Sequence, residues 1–206
     1  MKTLQILSLL SFFLSVMTNV YAGGDPAIGR TKAIICIGCH GIDGNNDNGL
    51  YPILAGQGEA YLTKQLTDFK TGARVEEHMS SMVEALSLQD IPHMASYFAK
   101  QKRKGSTLTP ASSDKDKGKN IYLNGLVSKS VTPCAACHAI DGMGNNAAKF
   151  PALAGQHADY VTKMLKEFRS GKRHNDPTKM MRNIAVNFSD SEITDLSNYI
   201  STMNVK

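Results

Sequence analysis

The chain has 206 residues, of which 23 are Lys or Arg and 18 are Asp or Glu, so its formal net charge is +5. The basic excess is small and lies in one half. Residues 110–206 contain thirteen basic and nine acidic side chains, whereas residues 23–109 contain nine of each. This balance gives no indication of nucleic-acid binding, and the length allows two small domains.

Residues 1–22 have the pattern of a cleaved secretory signal peptide. Lys2 precedes a largely apolar run over residues 4–17, and residues 20–22 suit a cleavage point before Gly23. The run is shorter than the ~20 apolar residues that a membrane-spanning helix needs. We therefore expect export from the cytoplasm and a mature chain that begins at Gly23, rather than a retained membrane anchor.

The pattern Cys-x-x-Cys-His occurs twice, at residues 36–40 and 134–138, and these motifs contain all four cysteines. The spacing is that of c-type haem attachment, because two thiols one helical turn apart can add to the two vinyl groups on one porphyrin edge. A dithiol redox pair and a four-thiol zinc site are the alternatives, but neither requires the His that follows. We predict two covalently bound haem c groups, held by Cys36, Cys39, Cys134 and Cys137, with His40 and His138 as axial iron ligands.

The second half of the chain repeats the first well beyond these motifs. Residues 52–57, Pro-Ile-Leu-Ala-Gly-Gln, correspond to residues 151–156, Pro-Ala-Leu-Ala-Gly-Gln, and residues 61–64 correspond to residues 160–163. Such an internal repeat predicts the tandem duplication of one small domain. The predicted boundaries are residues 23–102 for the first domain and residues 114–206 for the second.

Apolar residues recur at i, i+4 and i+7 from Leu62 and again from Val161, and a glycine, Gly72 or Gly171, follows each run. This pattern predicts an amphipathic helix in each copy. Residues 103–113 are basic and then rich in Ser, Thr and Pro, without apolar periodicity. They predict a linker between the domains.

Two further helices are predicted in each copy. Ser87 and Ser189 are each followed three residues later by an acidic residue, which is the spacing of an N-terminal cap. Shorter helices are expected to begin near Asp25 and near Asp114. The longer distance from the second of these helices to its Cys motif predicts an inserted loop.

A methionine recurs ahead of both capped helices. Met79 stands seven residues before Leu86, and Met181 stands seven residues before Phe188. None of the other four histidines recurs in the repeat, so bis-His ligation of both haems is not expected. We predict Met79 and Met181 as the sixth iron ligands. Met82 and Met180 remain the respective alternatives, since methionine is often a packing residue.

Pro52 and Pro151 lie twelve and thirteen residues beyond the two haem histidines. A backbone carbonyl at this point would accept the imidazole N–H and fix the orientation of the ring. A turn that ends a helix is the simpler role of these prolines, and the two roles are compatible.

With these features identified, the sequence resembles the dihaem cytochromes c4 of the bacterial periplasm over essentially the whole mature chain. The resemblance rests on the two Cys-x-x-Cys-His motifs, the paired Pro-x-Leu-Ala-Gly-Gln segments and the recurring Met. It implies an all-α tandem of two class I cytochrome c domains, with His40 and Met79 on one iron and His138 and Met181 on the other. One departure is residues 76–78, Glu-Glu-His, which replace the family-type Asn-Asp-Pro kept at residues 175–177.

The predicted function is a periplasmic carrier of single electrons between respiratory-chain partners, and not an enzyme. His/Met ligation leaves the iron without a vacant site for a small-molecule substrate. By resemblance, the partners are redox proteins such as a membrane-bound reductase or a terminal oxidase, and weak peripheral membrane association is left open. The alternative is a dihaem electron-accepting subunit of a periplasmic dehydrogenase, for example with a flavoprotein partner. A dihaem peroxidase is disfavoured because it needs an open haem.

The charge excess of the second half also predicts where an acidic partner is steered. Lys172 and Arg173 are candidate steering charges, and Lys70 and Arg74 are their counterparts or near-counterparts in the first copy. Pairing of the arginines with haem propionates is the alternative.

Overall fold

The computed structural model describes residues 23–110 and 114–205. The predicted signal peptide lies outside the described residues, as do positions 111–113 of the predicted linker. We call residues 23–102 the first repeat and residues 114–205 the second repeat. Within the described residues the secondary structure is helical apart from two isolated β-bridges.

The helices follow one order in both repeats. In the first repeat they are α1 Pro26–Lys32, α2 Ile37–His40, α3 Glu59–Thr71, α4 Glu77–Met82 and α5 Asp90–Ala99. In the second repeat they are α6 Lys115–Asn124, α7 Ala135–His138, α8 Ala158–Ser170, α9 Met180–Ala185 and α10 Asp190–Thr202. Short 3₁₀ helices span Ala33–Cys36, Val127–Lys129 and Pro177–Lys179.

The first helix of each repeat begins where the sequence predicts. Asp25 caps α1 by accepting a hydrogen bond from the Ala27 N–H at 2.8 Å, and Asp114 caps α6 through the Lys117 N–H at 2.9 Å. Each helix then crosses the last helix of its own repeat at a glycine. A Cβ atom on Gly29 would lie 1.9 Å from the His93 carbonyl oxygen, and one on Gly118 would lie 2.1 Å from that of Asp195. These crossings therefore require glycine.

Helices α3 and α8 confirm the predicted amphipathic pair. Both end at a glycine in the left-handed conformation, with φ of 77° at Gly72 and 76° at Gly171. Their apolar faces are buried, and α3 packs against α5 as α8 packs against α10.

The capped helices differ between the repeats. Ser189 and Glu192 form a complete capping box at the start of α10. In the first repeat, Ser87 accepts a hydrogen bond from the Asp90 N–H at 3.2 Å, but the helix itself starts only at Asp90. Pro92 consequently falls in the first turn, where its missing N–H costs no helical hydrogen bond.

The predicted inserted loop occupies residues 125–133 of the second repeat. It is closed by an antiparallel bridge between Leu126 and Val131, and Val131 is buried in the core of that repeat. The insertion is thus a folded part of the second repeat.

The two cores are arranged differently. The second repeat has one continuous cluster around Ile121, Leu165 and Leu196. The first repeat has two clusters, one around Leu62 and Phe98 and the other around Phe69 and Met94, and Cys36 packs against both.

The predicted linker is packed against the protein where it leaves the first repeat. Arg103 is buried, and its Nε donates to the Ala154 carbonyl at 2.8 Å, while its Nη1 donates to the Ala55 carbonyl at 3.1 Å. The Ser106 N–H donates to the Gly155 carbonyl at 2.7 Å. This segment therefore ties the repeats together, although its composition suggested an unstructured connection. Among the helices described, none has both the length and the apolar character needed to cross a membrane.

Candidate haem-binding site

Helices α2 and α7 carry the Cys-x-x-Cys-His motifs as single turns that end on the histidine. His40 and His138 are both buried. The next residue leaves the helix with positive φ, which is 82° at Gly41 and 65° at Ala139. Ala139 adopts a conformation that favours glycine. The second motif therefore turns away from its histidine under local strain.

The orientation of each imidazole is fixed by a proline carbonyl, as the sequence predicted. His40 Nδ1 lies 2.9 Å from the Pro52 oxygen, and His138 Nδ1 lies 2.9 Å from the Pro151 oxygen. A carbonyl oxygen only accepts hydrogen bonds, so each Nδ1 must carry the proton. The lone pair on each Nε2 is then free to bind a metal ion.

The pKa values of the motif histidines and cysteines, and the side chains near them, suit haem attachment better than a dithiol redox pair or a zinc site. Burial lowers the pKa of His40 and His138, which the hydrogen bonds to Pro52 and Pro151 oppose only in part, so both rings are neutral. Burial raises the pKa of Cys36 to about 11 and that of Cys134 to about 12. Reactive dithiols require a lowered thiol pKa. No cluster of three or more His, Cys, Asp or Glu side chains suited to a metal ion exists in the described part of the chain.

One mainly apolar cavity of about 890 Å³ connects the two repeats. It is lined by both histidines, by all four cysteines, and by side chains from both repeats that include Leu66, Phe69, Leu165 and Phe168. A flat, largely apolar ligand in each repeat would complete the adjacent core clusters. The cavity therefore fits two haem groups that lie close to one another.

The four candidate methionines lie at this cavity in two different environments. Met79 packs against the first-repeat cluster around Phe69, and Met181 packs against the second-repeat core. Met82 is 43% exposed and Met180 is 38% exposed. The backbone supports the predicted alignment of the two loops. The Leu86 N–H donates to the Val83 carbonyl, and the Phe188 N–H donates to the Ala185 carbonyl in the same way.

An acidic residue anchors each methionine loop, although the loop sequences differ. Glu76 accepts a hydrogen bond from the Met79 N–H at 3.0 Å. Asp176 accepts from the Arg182 N–H at 3.0 Å and from Arg182 Nε at 2.7 Å. Partial burial alone would raise the pKa of Glu76, but the bonds from Met79 and Lys163 outweigh it and lower that pKa. The departure at residues 76–78 thus keeps an acidic anchor, a role that sequence reasoning did not identify.

Two buried arginines converge at the boundary between the repeats. Arg74 and Arg173 are each 7% exposed and stack on Phe69 and Phe168, with the guanidinium carbon 4.5 and 4.4 Å from the ring centroids. Both donate to Met164 Sδ at 3.1 Å, and both donate to Gln65 Oε1.

The other hydrogen-bond partners of these guanidinium groups are also uncharged. Arg74 lies 3.5 Å from the Tyr160 hydroxyl, and Arg173 lies 3.2 Å from the Tyr61 hydroxyl. Glu167 acts on Arg74 only as a nearby charge and accepts no hydrogen bond from it. Burying two like charges together is unfavourable without a directly bonded counter-charge, which haem propionates would supply. Because Arg74 and Arg173 are buried, the expectation that they are free surface charges is wrong, and their pairing with propionates stays a prediction.

Comparison with known proteins supports the same assignment. The cytochrome c family model matches residues 116–204. Cytochrome c4 of Pseudomonas aeruginosa is 42% identical, over 87% of this chain and 89% of the relative. The thiosulfate dehydrogenase electron acceptor of Thiomonas intermedia is 34% identical, over 82% of this chain and 79% of the relative. The crystal structure of reduced recombinant cytochrome c4 from Pseudomonas stutzeri superposes with a TM-score of 0.81 at 39% identity, covering 88% of this chain and all (100%) of that structure.

These similarities confirm the resemblance found in the sequence. They also confirm the all-α fold built from class I cytochrome c units and the two haem c groups as cofactors. The chain therefore belongs to the cytochrome c4 family of dihaem c-type cytochromes, which are electron-transfer proteins and not enzymes.

Proposed function

We propose that this protein carries single electrons between redox partners in the periplasm, with one haem in each repeat. Cys36 and Cys39 would attach the first haem, and Cys134 and Cys137 would attach the second. The observation that carries the proposal is the duplicated imidazole geometry, in which each Nδ1 binds a proline carbonyl and each Nε2 is left free. Haem iron supplies a one-electron couple at these sites.

The proposed iron ligands are His40 with Met79 and His138 with Met181. Met79 and Met181 are supported by their packing against the core, whereas Met82 and Met180 are more exposed. The thioether of each methionine would raise the reduction potential of the haem iron and, together with the imidazole, would leave no iron position for a substrate. Both effects suit an electron carrier without a substrate of its own.

The residues around the cavity define what the protein itself contributes. The apolar walls of the cavity would exclude water from a bound haem, and this would favour the less charged ferrous state. Arg74 and Arg173 would hold propionates between the repeats, because they are buried beside each other with uncharged partners. Placing propionates of both haems at this boundary would bring the two cofactors close together.

The proposed partners are respiratory redox proteins, with a terminal oxidase as electron acceptor. Export by the predicted signal peptide of residues 1–22 would place the protein in the periplasm, where such partners expose their docking surfaces. The second candidate role is that of an electron-accepting subunit of a dehydrogenase. It is favoured by one observation, the 34% identity with a thiosulfate dehydrogenase electron acceptor.

Mass spectrometry and potentiometric titration of the exported protein test this function. We expect a mature chain that starts at Gly23 and carries two covalently bound haems, with two resolved one-electron steps. Stopped-flow mixing of the reduced protein with a terminal oxidase and of the oxidised protein with a thiosulfate dehydrogenase would distinguish the two roles. A mass that corresponds to one haem, or to none, would contradict the assignment of both motifs.

A further inference from the structure

The peptide group that joins Pro52 to Ile53 is hydrogen-bonded at both of its ends. Its carbonyl accepts from His40 Nδ1 at 2.9 Å, and its N–H donates to Gln156 Oε1, in the second repeat, at 2.8 Å. Gln156 Nε2 also donates to the Ile53 carbonyl at 3.0 Å. A glutamine of the second repeat thus holds the peptide that orients the histidine of the first.

The same arrangement occurs in the opposite direction. The peptide group that joins Pro151 to Ala152 accepts from His138 Nδ1 through its carbonyl, and its N–H donates to Gln57 Oε1 at 2.7 Å. Gln57 Nε2 donates to the Ala152 carbonyl at 3.0 Å. Each repeat therefore places one glutamine on the peptide group that orients the histidine of the other repeat.

Both glutamines are buried and fixed in orientation. Gln57 is 5% exposed and Gln156 is 4% exposed. Each Oε1 also accepts from the next backbone N–H, that of Gly58 at 2.9 Å and that of His157 at 3.1 Å. Reversing either amide would turn its NH₂ group toward two N–H donors, so the observed orientation is the only satisfied one.

We propose that Gln156 and Gln57 are positioning residues that set the reduction potential of the haem in the opposite repeat. The proposal rests on the function proposed above, in which His40 and His138 bind the irons. An N–H that donates to a glutamine oxygen polarises its peptide, and the carbonyl of that peptide becomes a stronger acceptor. A more strongly held Nδ1–H makes the imidazole a better electron donor at Nε2, which stabilises ferric iron and lowers the potential.

The alternative is that the glutamines only fasten the two repeats together. The two roles differ in which haem responds. A glutamine acting through the peptide alters the haem of the other repeat, whereas a loosened boundary alters both haems. The Pro52 carbonyl also accepts from Asn46 Nδ2 at 3.2 Å, so the response of the first haem is expected to be the smaller one.

The test uses the full-length holoprotein with Gln156→Leu or Gln57→Leu. We expect Gln156→Leu to move the potential of the first-repeat haem to a more positive value, and Gln57→Leu to do so for the second-repeat haem. The ring Nδ1–H resonance of His40 or His138, respectively, should shift in NMR spectra, which also assign each potential to its haem. If a Leu variant does not fold, Gln→Met at the same position removes the same hydrogen bonds with a side chain of similar length.

Asn146→Ala is the matched control. Asn146 Oδ1 accepts a hydrogen bond from the Ala60 N–H across the boundary at 2.9 Å, but Asn146 does not bond to either peptide group that orients a histidine. Both potentials should stay unchanged in this control. Three results would overturn this proposal and leave the proposed function standing. They are a shift in potential only at the haem of the substituted repeat, equal shifts in potential at both haems, and no shift at either haem. Absence of axial histidine signals in the unsubstituted holoprotein would overturn the ligand assignment, and this proposal with it.

Discussion

Met79 and Met82 lie one turn apart on α4, yet they meet different surroundings. Met79 is packed against the core and its N–H is held by Glu76, whereas Met82 is 43% exposed. A ligand must be held in place before iron binds, because an exposed, mobile thioether loses conformational entropy on coordination. Core packing and the anchored loop give Met79 this preorganisation.

Substitution of these two methionines gives a direct test. We expect Met79→Ala to abolish one of the two axial Met methyl resonances in paramagnetic NMR and to lower the potential of one haem, since a thioether ligand raises it. Met82→Ala is the matched control and should keep both resonances. Loss of a resonance on Met82→Ala, with retention on Met79→Ala, would show that the repeats are aligned incorrectly in this loop.

Single residues also show where sequence patterns stop being informative. The Cys-x-x-Cys-His spacing predicts the four thiols and two histidines of the haem sites, because haem attachment depends on neighbours in the chain. Gln57 and Gln156 recur just as regularly, but their partners lie 95 and 103 positions away. Arg74 and Arg173 are likewise expected from the sequence alone to be surface charges. Their burial depends on contacts between repeats, which leave no periodic pattern in the sequence.

At the scale of helices, local rules predicted the longer elements but not the short helices α4 and α9. The apolar spacing and terminal glycines of α3 and α8 predicted both elements, and Asp25 and Asp114 marked the starts of α1 and α6. The start of α5 lies later than Ser87 predicts, because Ser87 supports a turn before the helix begins at Asp90. The close crossing of α1 over α5 depends on tertiary packing, and only the structure reveals it.

That crossing gives a stability prediction. Gly29→Ala would place a Cβ atom 1.9 Å from the His93 carbonyl oxygen, so α1 must move away from α5. Overpacking of this kind typically costs about 1–3 kcal/mol, and we expect at least that loss in the free energy of unfolding of the holoprotein. Denaturant titration followed by circular dichroism measures it.

Gly38→Ala is the matched control for this substitution. A Cβ atom at Gly38 meets nothing within 4 Å, and the equivalent position of the second repeat is already Ala136. Replacing a helical glycine with alanine should leave stability unchanged or raise it by about 0.4–1 kcal/mol. An equally large loss in both variants would mean that the α1–α5 crossing is not the cause.

At the scale of the whole molecule, duplication has produced two similar sites whose surroundings differ in charge. Position 50, at the cavity of the first repeat, is an exposed leucine, and the equivalent position of the second repeat is Lys149. In the methionine loops, Glu77 of the first repeat corresponds to Lys179 of the second. Lys149 lines the cavity, and Lys179 lies between the lining residues Thr178 and Met180 in the chain, so both charges adjoin the second candidate site. With Arg173 buried, Lys149 and Lys179 are better candidates for steering charges.

This charge distribution predicts how the protein reacts with an anionic redox partner. Exposed charges act over about 8 Å at physiological ionic strength, so only lysines near the second site should accelerate the encounter. We expect the double variant Lys149→Gln with Lys179→Gln to be oxidised more slowly by hexacyanoferrate(III), which is a trianion. Loss of local steering should lower this rate by roughly several-fold. The rate should also depend less on salt, and stopped-flow measurements from low to physiological ionic strength follow both effects.

The control is Lys115→Gln with Lys119→Gln, which removes the same charge from exposed positions on α6 outside the cavity lining. If both pairs slowed the reaction equally, net charge and not its placement beside the second haem would govern the encounter.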